Sequence, residues 1–76
     1  MSLNRKTTVR EIGRRTRLSN RDVERVIETL VDVWTEELAN GGRIELENFM
    51  VLIVQQSPKR RVVLRVSKRL KLALVE

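Results

Sequence analysis

Apolar residues recur at helical spacing through one long stretch of the chain. The i, i+3, i+4, i+7 rule of an amphipathic helix is followed by Val23, Val26, Ile27, Leu30, Val31, Trp34 and Leu38. Residues 19–22, SNRD, are of the types that open helices, and Gly41 and Gly42 stand where a helix would stop. The pattern predicts a long helix between Ser19 and the glycine pair.

A shorter helix is predicted upstream of it. Residues 8–11 read TVRE, which has the form of a capping box: the side chains at the first and fourth positions each accept a hydrogen bond from the other's backbone N–H. We therefore predict a short helix that opens at this segment, with Val9, Ile12 and Thr16 along one side.

The second half of the chain has the patterns of strands. Residues 43–47, RIELE, alternate apolar and polar, which predicts a half-exposed strand with Ile44 and Leu46 facing inward. Residues 51–54, VLIV, are continuously apolar, as expected of a strand covered on both sides. A third strand follows at residues 61–66, RVVLRV, and Ser67 is placed to cap a last helix. The fold class is α+β: two helices, a three-stranded antiparallel sheet with a short hairpin, and a C-terminal helix.

The size of the chain restricts how such a fold can be stable. A chain of 76 residues buries only about 60% of its unfolded surface, so its core is marginal. It contains no cysteine and no histidine, which excludes disulfides and argues against zinc. We expect one domain over residues 5–75 with flexible residues 1–4, no cofactor and no metal. We also expect a partner chain over the long apolar stripe.

Charge is distributed in three blocks. Residues 1–21 hold seven cations and one acid, residues 22–47 two cations and eight acids, and residues 48–76 seven cations and one acid. The block charges of +6, −6 and +6 add to the net charge of +6. Two basic blocks beside an acidic one indicate a protein that presents basic surfaces to a polyanion.

Two features of the last block indicate phosphate contacts. Three cations, Lys59 to Arg61, follow Pro58 in a very short predicted loop, where we interpret the proline as a turn residue. Lys68, Arg69 and Lys71 open the last helix, where the helix dipole disfavours each exposed cation by roughly 0.3 to 1 kcal/mol. A bound phosphate would offset that cost.

Other classes of function are not supported by the sequence. It has no glycine-rich phosphate loop, its serines have no histidine partner, and Glu45 and Glu47 alternate as the solvated face of a strand. We therefore expect neither an enzyme nor a small-molecule substrate. No apolar run approaches the length of a membrane span, and the start, MSLNRKTT, lacks the apolar core of a signal peptide. We expect a soluble intracellular protein with no membrane partner.

Several segments together resemble the HU/IHF family of bacterial histone-like DNA-binding proteins. They are the helix entry LSNRDVERVIETL, the transition NGGRIELENFMVLIV and the end VSKRLKLAL. Leu18 and Ser19 match the leucine and hydroxyl residue before the family's second helix. Residues 48–50, NFM, stand where the family usually has glycine, phenylalanine, glycine. Arg65, Lys68 and Lys71 fall on positions where the family carries DNA-contacting cations, and Leu64 replaces its usual aromatic residue.

The resemblance implies an intertwined, IHF-like homodimer that binds DNA as a cytoplasmic, nucleoid-associated architectural protein. The residues expected to bind DNA are Lys59, Arg60, Arg61, Arg65, Lys68, Arg69 and Lys71. The residues expected at the dimer interface are Val26, Ile27, Leu30, Val31, Trp34, Leu38 and Phe49. The family's long β-arm, whose tip proline wedges between base pairs, is missing here, because the connection runs only from Ser57 to Arg61.

Two alternative functions remain open at this point. Residues 8–30 could form a helix-turn-helix followed by a wing, as in a sequence-specific regulator. Against this, the recognition helix would present four acids to phosphates, namely Asp22, Glu24, Glu28 and Asp32. The second alternative is an HU-like dimer that binds a protein instead of DNA.

Overall fold

The computed structural model of the chain describes residues 2–56 and 59–75. The helices are α1 Arg5–Thr16, α2 Asn20–Ala39 and α3 Lys68–Ala73, and the strands are β1 Ile44–Leu46, β2 Met50–Gln55 and β3 Arg61–Val66. The predicted element order and fold class are confirmed. The chain divides into two compact units, Met1–Val33 and Trp34–Glu76. One domain over residues 5–75 with flexible residues 1–4 stays a prediction.

The N-cap of helix α1 lies four residues earlier than the sequence pattern predicted, at Asn4 instead of Thr8. The Asn4 side chain accepts a hydrogen bond from the Thr7 backbone N–H, and the Thr7 hydroxyl accepts one from the Asn4 N–H, both at 2.9 Å. This is the reciprocal capping box, so Thr8 lies inside the helix and its assignment as the cap was wrong. Asparagine is among the strongest N-cap residues, which explains why the earlier start wins.

The side of α1 that was expected to face inward does so in part. Val9 is buried at 7% exposure and Ile12 is half-buried. Thr16 is exposed, and its hydroxyl donates to the Ile12 carbonyl at 2.7 Å. The helix ends at Arg17, which takes a left-handed backbone conformation with φ of 63° and donates its N–H to the Gly13 carbonyl. The inward side of α1 is therefore shorter than predicted.

The only acid of α1 is held by two arginines. Arg14 Nη2 and Arg15 Nε donate to Glu11 Oε1 at 2.5 and 2.9 Å. These hydrogen bonds lower the pKa of Glu11 from 4.5 to about 2. Because the folded-state pKa is lowered, this contribution to stability is complete above pH 4.5 and is lost as the pH falls towards 2.

We expect an NMR titration of the Glu11 side chain to show a midpoint near 2. The double variant Arg14→Gln, Arg15→Gln removes both donors and should return the midpoint towards 4.5. A wild-type midpoint close to 4.5 would contradict the pairing.

Helix α2 has the ends that the sequence predicted. The Ser19 hydroxyl accepts a hydrogen bond from the Asp22 N–H at 3.1 Å. At the other end, the N–H groups of Gly41 and Gly42 donate to the carbonyls of Leu38 and Glu37. Gly41 has a φ of +77°, which glycine adopts without steric cost, and the two bonds form a Schellman motif. The glycine pair is the stop signal, as predicted.

The antiparallel sheet has the order β1-β2-β3. Directly opposite residues share a face, and Ile44 pairs with Leu52, which pairs with Leu64. One face, here called the apolar face, therefore carries Ile44, Leu46, Met50, Leu52, Val54, Val62, Leu64 and Val66. The other, here called the mixed face, carries Glu45, Val51, Ile53, Gln55, Arg61, Val63 and Arg65.

The single chain covers little of its apolar surface. Among the described residues, Val9, Val23 and Ile44 are the buried apolar side chains. Leu46, expected to face inward, is 41% exposed, so that prediction is wrong for one chain. Residues 51–54, expected to be covered on both sides, are only half-buried. Burial depends on what lies over a strand, and 76 residues supply too little.

Candidate nucleic-acid interface

Four of the seven predicted DNA contacts lie in one continuous segment at the end of β3 and the start of α3. This β3–α3 cation set consists of Arg65, Lys68, Arg69 and Lys71, all of them exposed. In the part of the chain that the structure describes, none of these side chains donates a hydrogen bond or forms an ion pair. The set is therefore available to an external anion.

Ser67 fixes this segment to the sheet. Its hydroxyl accepts a hydrogen bond from the Leu70 N–H at 3.0 Å, which caps α3 as predicted. Its own N–H donates to the Phe49 carbonyl at 2.8 Å, across to the turn between β1 and β2. Two hydrogen bonds of Ser67, one to α3 and one to the turn between β1 and β2, therefore fix the backbone that carries the cations.

The turn that receives this bond forms without the glycines usual in the resembling family. Asn48 takes a φ of 64°, a left-handed conformation that asparagine tolerates better than most residues. The Phe49 N–H then donates to the Leu46 carbonyl at 3.0 Å. Asn48 therefore adopts the left-handed backbone conformation for which glycine is the usual residue. The Phe49 ring, a predicted interface residue, is 50% exposed.

The three hairpin cations have three different environments. Lys59 is exposed, and Arg61 Nε donates to Gln55 Oε1 at 2.9 Å, across the pair that closes the strand register. Arg60 Nη2 donates to the Leu38 and Ala39 carbonyls at 3.2 and 2.5 Å. Two of the three are thus engaged within the chain. Ser57 and Pro58 lie outside the described residues, so the turn proline stays a prediction.

The bond from Arg60 satisfies the C-terminal end of α2. That helix has no basic residue in its last turn, although cations are favoured there by the helix dipole. Arg60 supplies the charge from the hairpin, 21 and 22 residues away along the chain. This role could not be predicted from the sequence, because the lack of a basic residue in the last turn of α2 does not indicate which distant cation replaces it.

The mixed face carries one cation on each side of an apolar pair. Arg61 and Arg65 are two residues before and after Val63, which pairs with Ile53 on β2. Glu45 lies in the same row as Arg65, and its carboxylate is 3.5 Å from Arg43 Nη2. The surface can give phosphate contacts at its ends and apolar contact between them.

The predicted interface residues on α2 form an exposed apolar stripe in the single chain. Val26, Leu30 and Val31 are 62%, 42% and 56% exposed, and Ile27, Trp34 and Leu38 are half-buried. Val33, at 53% exposure, belongs with them but was not predicted. Its spacing of i+3 from Leu30 was the signal that could have found it. With Val26 and Leu30, it lines a shallow apolar groove of about 610 Å³.

Two properties of the described residues bear on other kinds of site. In residues 2–56 and 59–75, there is no group of three or more acidic side chains placed to hold a metal ion. No helix in this part of the chain combines the length and apolar character required to span a bilayer.

The comparisons with known proteins agree with this geometry. The model of the family described as bacterial DNA-binding protein matches residues 3–63. Among solved structures, a valine-to-isoleucine mutant of HU from Thermotoga maritima matches with a TM-score of 0.89 at 22% identity. That match covers 96% of this chain and 100% of the HU chain, and its fold excludes the winged-helix alternative.

The family match stops before part of the candidate interface. The β3–α3 cation set begins at Arg65, beyond the matched residues 3–63. Its proposed role therefore rests on the exposure of the four side chains and on the hydrogen bond from the Ser67 N–H to the Phe49 carbonyl. The matched part nevertheless includes both long helices, β1, β2 and the first half of β3. This chain belongs to the HU family of bacterial histone-like DNA-binding proteins, which are structural proteins and not enzymes.

Proposed function

We propose that this chain is an architectural protein of the bacterial nucleoid, in the cytoplasm, that binds duplex DNA through phosphate contacts with little sequence preference. The observation that carries the proposal is the β3–α3 cation set: exposed, without a partner among the described residues, and anchored by the Ser67 N–H to the Phe49 carbonyl. A duplex carries one negative charge per ~1.7 Å of axis, so such a set finds phosphates on any sequence.

The position of the site favours phosphate contacts over base readout. Sequence is read mainly by side chains that reach base edges in the grooves, whereas contacts to phosphates position the protein without reading sequence. The connection between β2 and β3 spans residues 56–60 only, too short to reach around a duplex. Because the β3–α3 cations lie on a strand and a short helix next to it, we expect their side chains to contact phosphates on the outside of the duplex.

The protein is proposed to act as a homodimer. The apolar stripe on α2 leaves Val26 and Val31 more than half exposed. On the apolar face of the sheet, Val62 and Leu64 are 53% and 57% exposed. A second copy would bury both surfaces and would double the number of cations that face one duplex. The proposed partners are thus DNA and an identical chain, without a membrane or a small-molecule substrate.

The proposal is tested by titrating the protein with short duplexes of unrelated sequence over a range of salt concentrations. We expect steep salt dependence and nearly equal affinity for every sequence. A strong preference for one sequence would instead indicate a sequence-specific regulator on the same fold. An absence of binding at low salt would leave an HU-like module that binds a protein.

The short connection between β2 and β3 leads to an expectation about DNA bending. Bending repays its cost only when the bent duplex wraps more protein surface, and a connection of five residues, 56–60, adds little. We therefore expect only a small change in energy transfer between dyes at the ends of a short duplex. Strong bending would contradict this and would point to Pro58 as a wedge.

Two single variants of the hairpin distinguish phosphate contacts from structural contacts, when both DNA affinity and the thermal midpoint are measured. Lys59→Gln should weaken DNA binding, because that side chain is exposed and has no partner among the described residues. Arg60→Gln should mainly lower the thermal midpoint, because it removes the donor to the Leu38 and Ala39 carbonyls. If Lys59→Gln binds DNA with unchanged affinity, the hairpin is a solvated turn that makes no phosphate contact through Lys59.

A further inference from the structure

A second basic surface lies on α1, away in sequence from the β3–α3 cation set. Lys6, Arg10 and Arg14 follow each other at i+4 spacing, and Arg17 comes directly after the helix. Residues four apart are neighbours on one side of a helix, so these cations form a stripe along α1. We call Lys6, Arg10, Arg14 and Arg17 the basic stripe, and all four are exposed.

Most of the basic stripe is not neutralised by acids of the same chain. Glu11 is bound by Arg14 and Arg15, and Arg5 is bound to Glu24 and Glu28 of α2. Within residues 2–56 and 59–75, the side chains of Lys6, Arg10 and Arg17 have no hydrogen bond or ion pair. Three full charges of the stripe thus remain available.

The stripe is electrostatically unfavourable for the free protein. Like charges at i+4 repel each other, and the first turn of α1 contains cations and no acid, against the preference of the helix dipole. A helix with this charge pattern is favoured when an external anion lies along it. Since the unfavourable charges extend over the helix rather than converge on one point, an extended polyanion fits them better than a single ion.

The dimensions of the stripe suit duplex DNA. Arg14 lies eight residues beyond Lys6, roughly 12 Å along the helix at 1.5 Å per residue, and the unpaired Arg17 follows it. The unpaired cations Lys6, Arg10 and Arg17 are thus spread over roughly 12 Å or more, a length of duplex axis that carries roughly seven phosphates at one charge per ~1.7 Å. Lys6 and Arg10 also line a cleft of about 340 Å³ with Asn20, Arg5 and Glu24. Glu24 is paired with Arg5, and the Asn20 side chain can add a hydrogen bond to a phosphate.

We propose that the basic stripe of α1 binds a second DNA duplex, so that one protein bridges two duplexes. The inference rests on the proposed function, in which the β3–α3 cation set binds the first duplex. The stripe belongs to the unit Met1–Val33 and the β3–α3 cation set to the unit Trp34–Glu76, so each unit has its own basic surface. Bridging adds a compacting activity that needs no long arm and no strong bend.

The experiment measures two quantities on the full chain: affinity for one free duplex, and capture of a labelled duplex by protein already bound to a duplex on beads. The stripe variant is Lys6→Gln, Arg10→Gln, Arg17→Gln, which leaves the Glu11 pairing intact. The matched control is Lys68→Gln, Arg69→Gln, Lys71→Gln, which removes the same charge from the other surface.

We expect the stripe variant to keep its affinity for one duplex within about twofold and to lose capture of the second. The salt slope of capture should fall by about 2.7, which is ~0.9 for each of three lost contacts. The control variant should lose affinity for the first duplex. If the triple stripe variant does not fold, the single variant Arg10→Gln should lower the capture slope by about 0.9.

Three results would overturn the inference. Wild-type protein that binds one duplex but captures no second would refute bridging while leaving the proposed function intact. Equal capture by the wild type and the stripe variant would remove the stripe from bridging. Competition of an acidic polypeptide such as polyglutamate for the stripe, without capture of DNA, would make its partner a protein. If the wild type binds no duplex at all, the proposed function itself fails.

Discussion

Trp34→Asp is expected to abolish folding of the chain. Trp34 is half-buried on α2, in line with the exposed apolar residues Leu30 and Val31. In the proposed dimer a second copy covers this stripe, so an aspartate there would be an unpaired buried charge, which costs several kcal/mol. Small domains are stable by about 5–15 kcal/mol in total, and a chain with only three buried apolar side chains among the described residues lies at the low end.

Because folding and dimer formation are coupled in the proposed dimer, thermal stability should depend on protein concentration. For an obligate dimer, a dilution of about a hundredfold weakens the folded state by about 2.7 kcal/mol. For two chains of 76 residues, this lowers the thermal midpoint by roughly 5–10 °C. Circular dichroism melts at the two concentrations measure the shift. Trp34→Phe, which keeps an aromatic apolar side chain, is the control and should fold. A midpoint that does not move on dilution would contradict the dimer.

Neutralising three cations at the proposed DNA surface is expected to give the second large effect. In Arg65→Gln, Lys68→Gln, Lys71→Gln the proposed dimer loses six phosphate contacts, three per chain, so the salt slope of binding should fall by about 5.4, at ~0.9 per contact. Between about 50 and 200 mM salt, the wild type should therefore lose about 2,000-fold more affinity than the variant. The loss should be nearly equal for unrelated sequences, because phosphates carry no sequence information.

The matched control for this variant removes the same charge from α1. Arg14→Gln, Arg15→Gln, Arg17→Gln should reduce affinity for one duplex less, because Arg14 and Arg15 are already paired with Glu11. Fluorescence anisotropy at several salt concentrations measures both variants. If the α1 variant lost more affinity than the β3–α3 variant, the primary DNA surface would have to be placed on α1.

The features predicted correctly from the sequence depend on neighbouring residues. Ser19 and Ser67 each accept a hydrogen bond from the N–H three residues on, and the Gly41 stop closes within one turn of α2. Such signals can be read locally. The start of α1 was missed because two segments offer a plausible cap, and the choice of Asn4 over Thr8 depends on the match of Asn4 with Thr7.

The features that could not be predicted depend on distant parts of the chain. Leu46 alternates correctly on β1 but is exposed, because nothing in the one chain lies over it. Arg60 was expected only to contact phosphate, and its bond to the end of α2 joins residues 21 and 22 apart. Sequence spacing predicts which side of an element a residue lies on, but not what covers that side.

The most direct test of the proposed function is an NMR titration of isotope-labelled protein with a short duplex, with the protein in excess. Under these conditions the stronger surface is occupied first. We expect the largest chemical-shift changes from Arg65 to Lys71, with smaller changes at Lys59 and Arg61. Changes confined to the acidic side of α2, around Glu28 and Glu36, or no changes at low salt, would contradict this expectation.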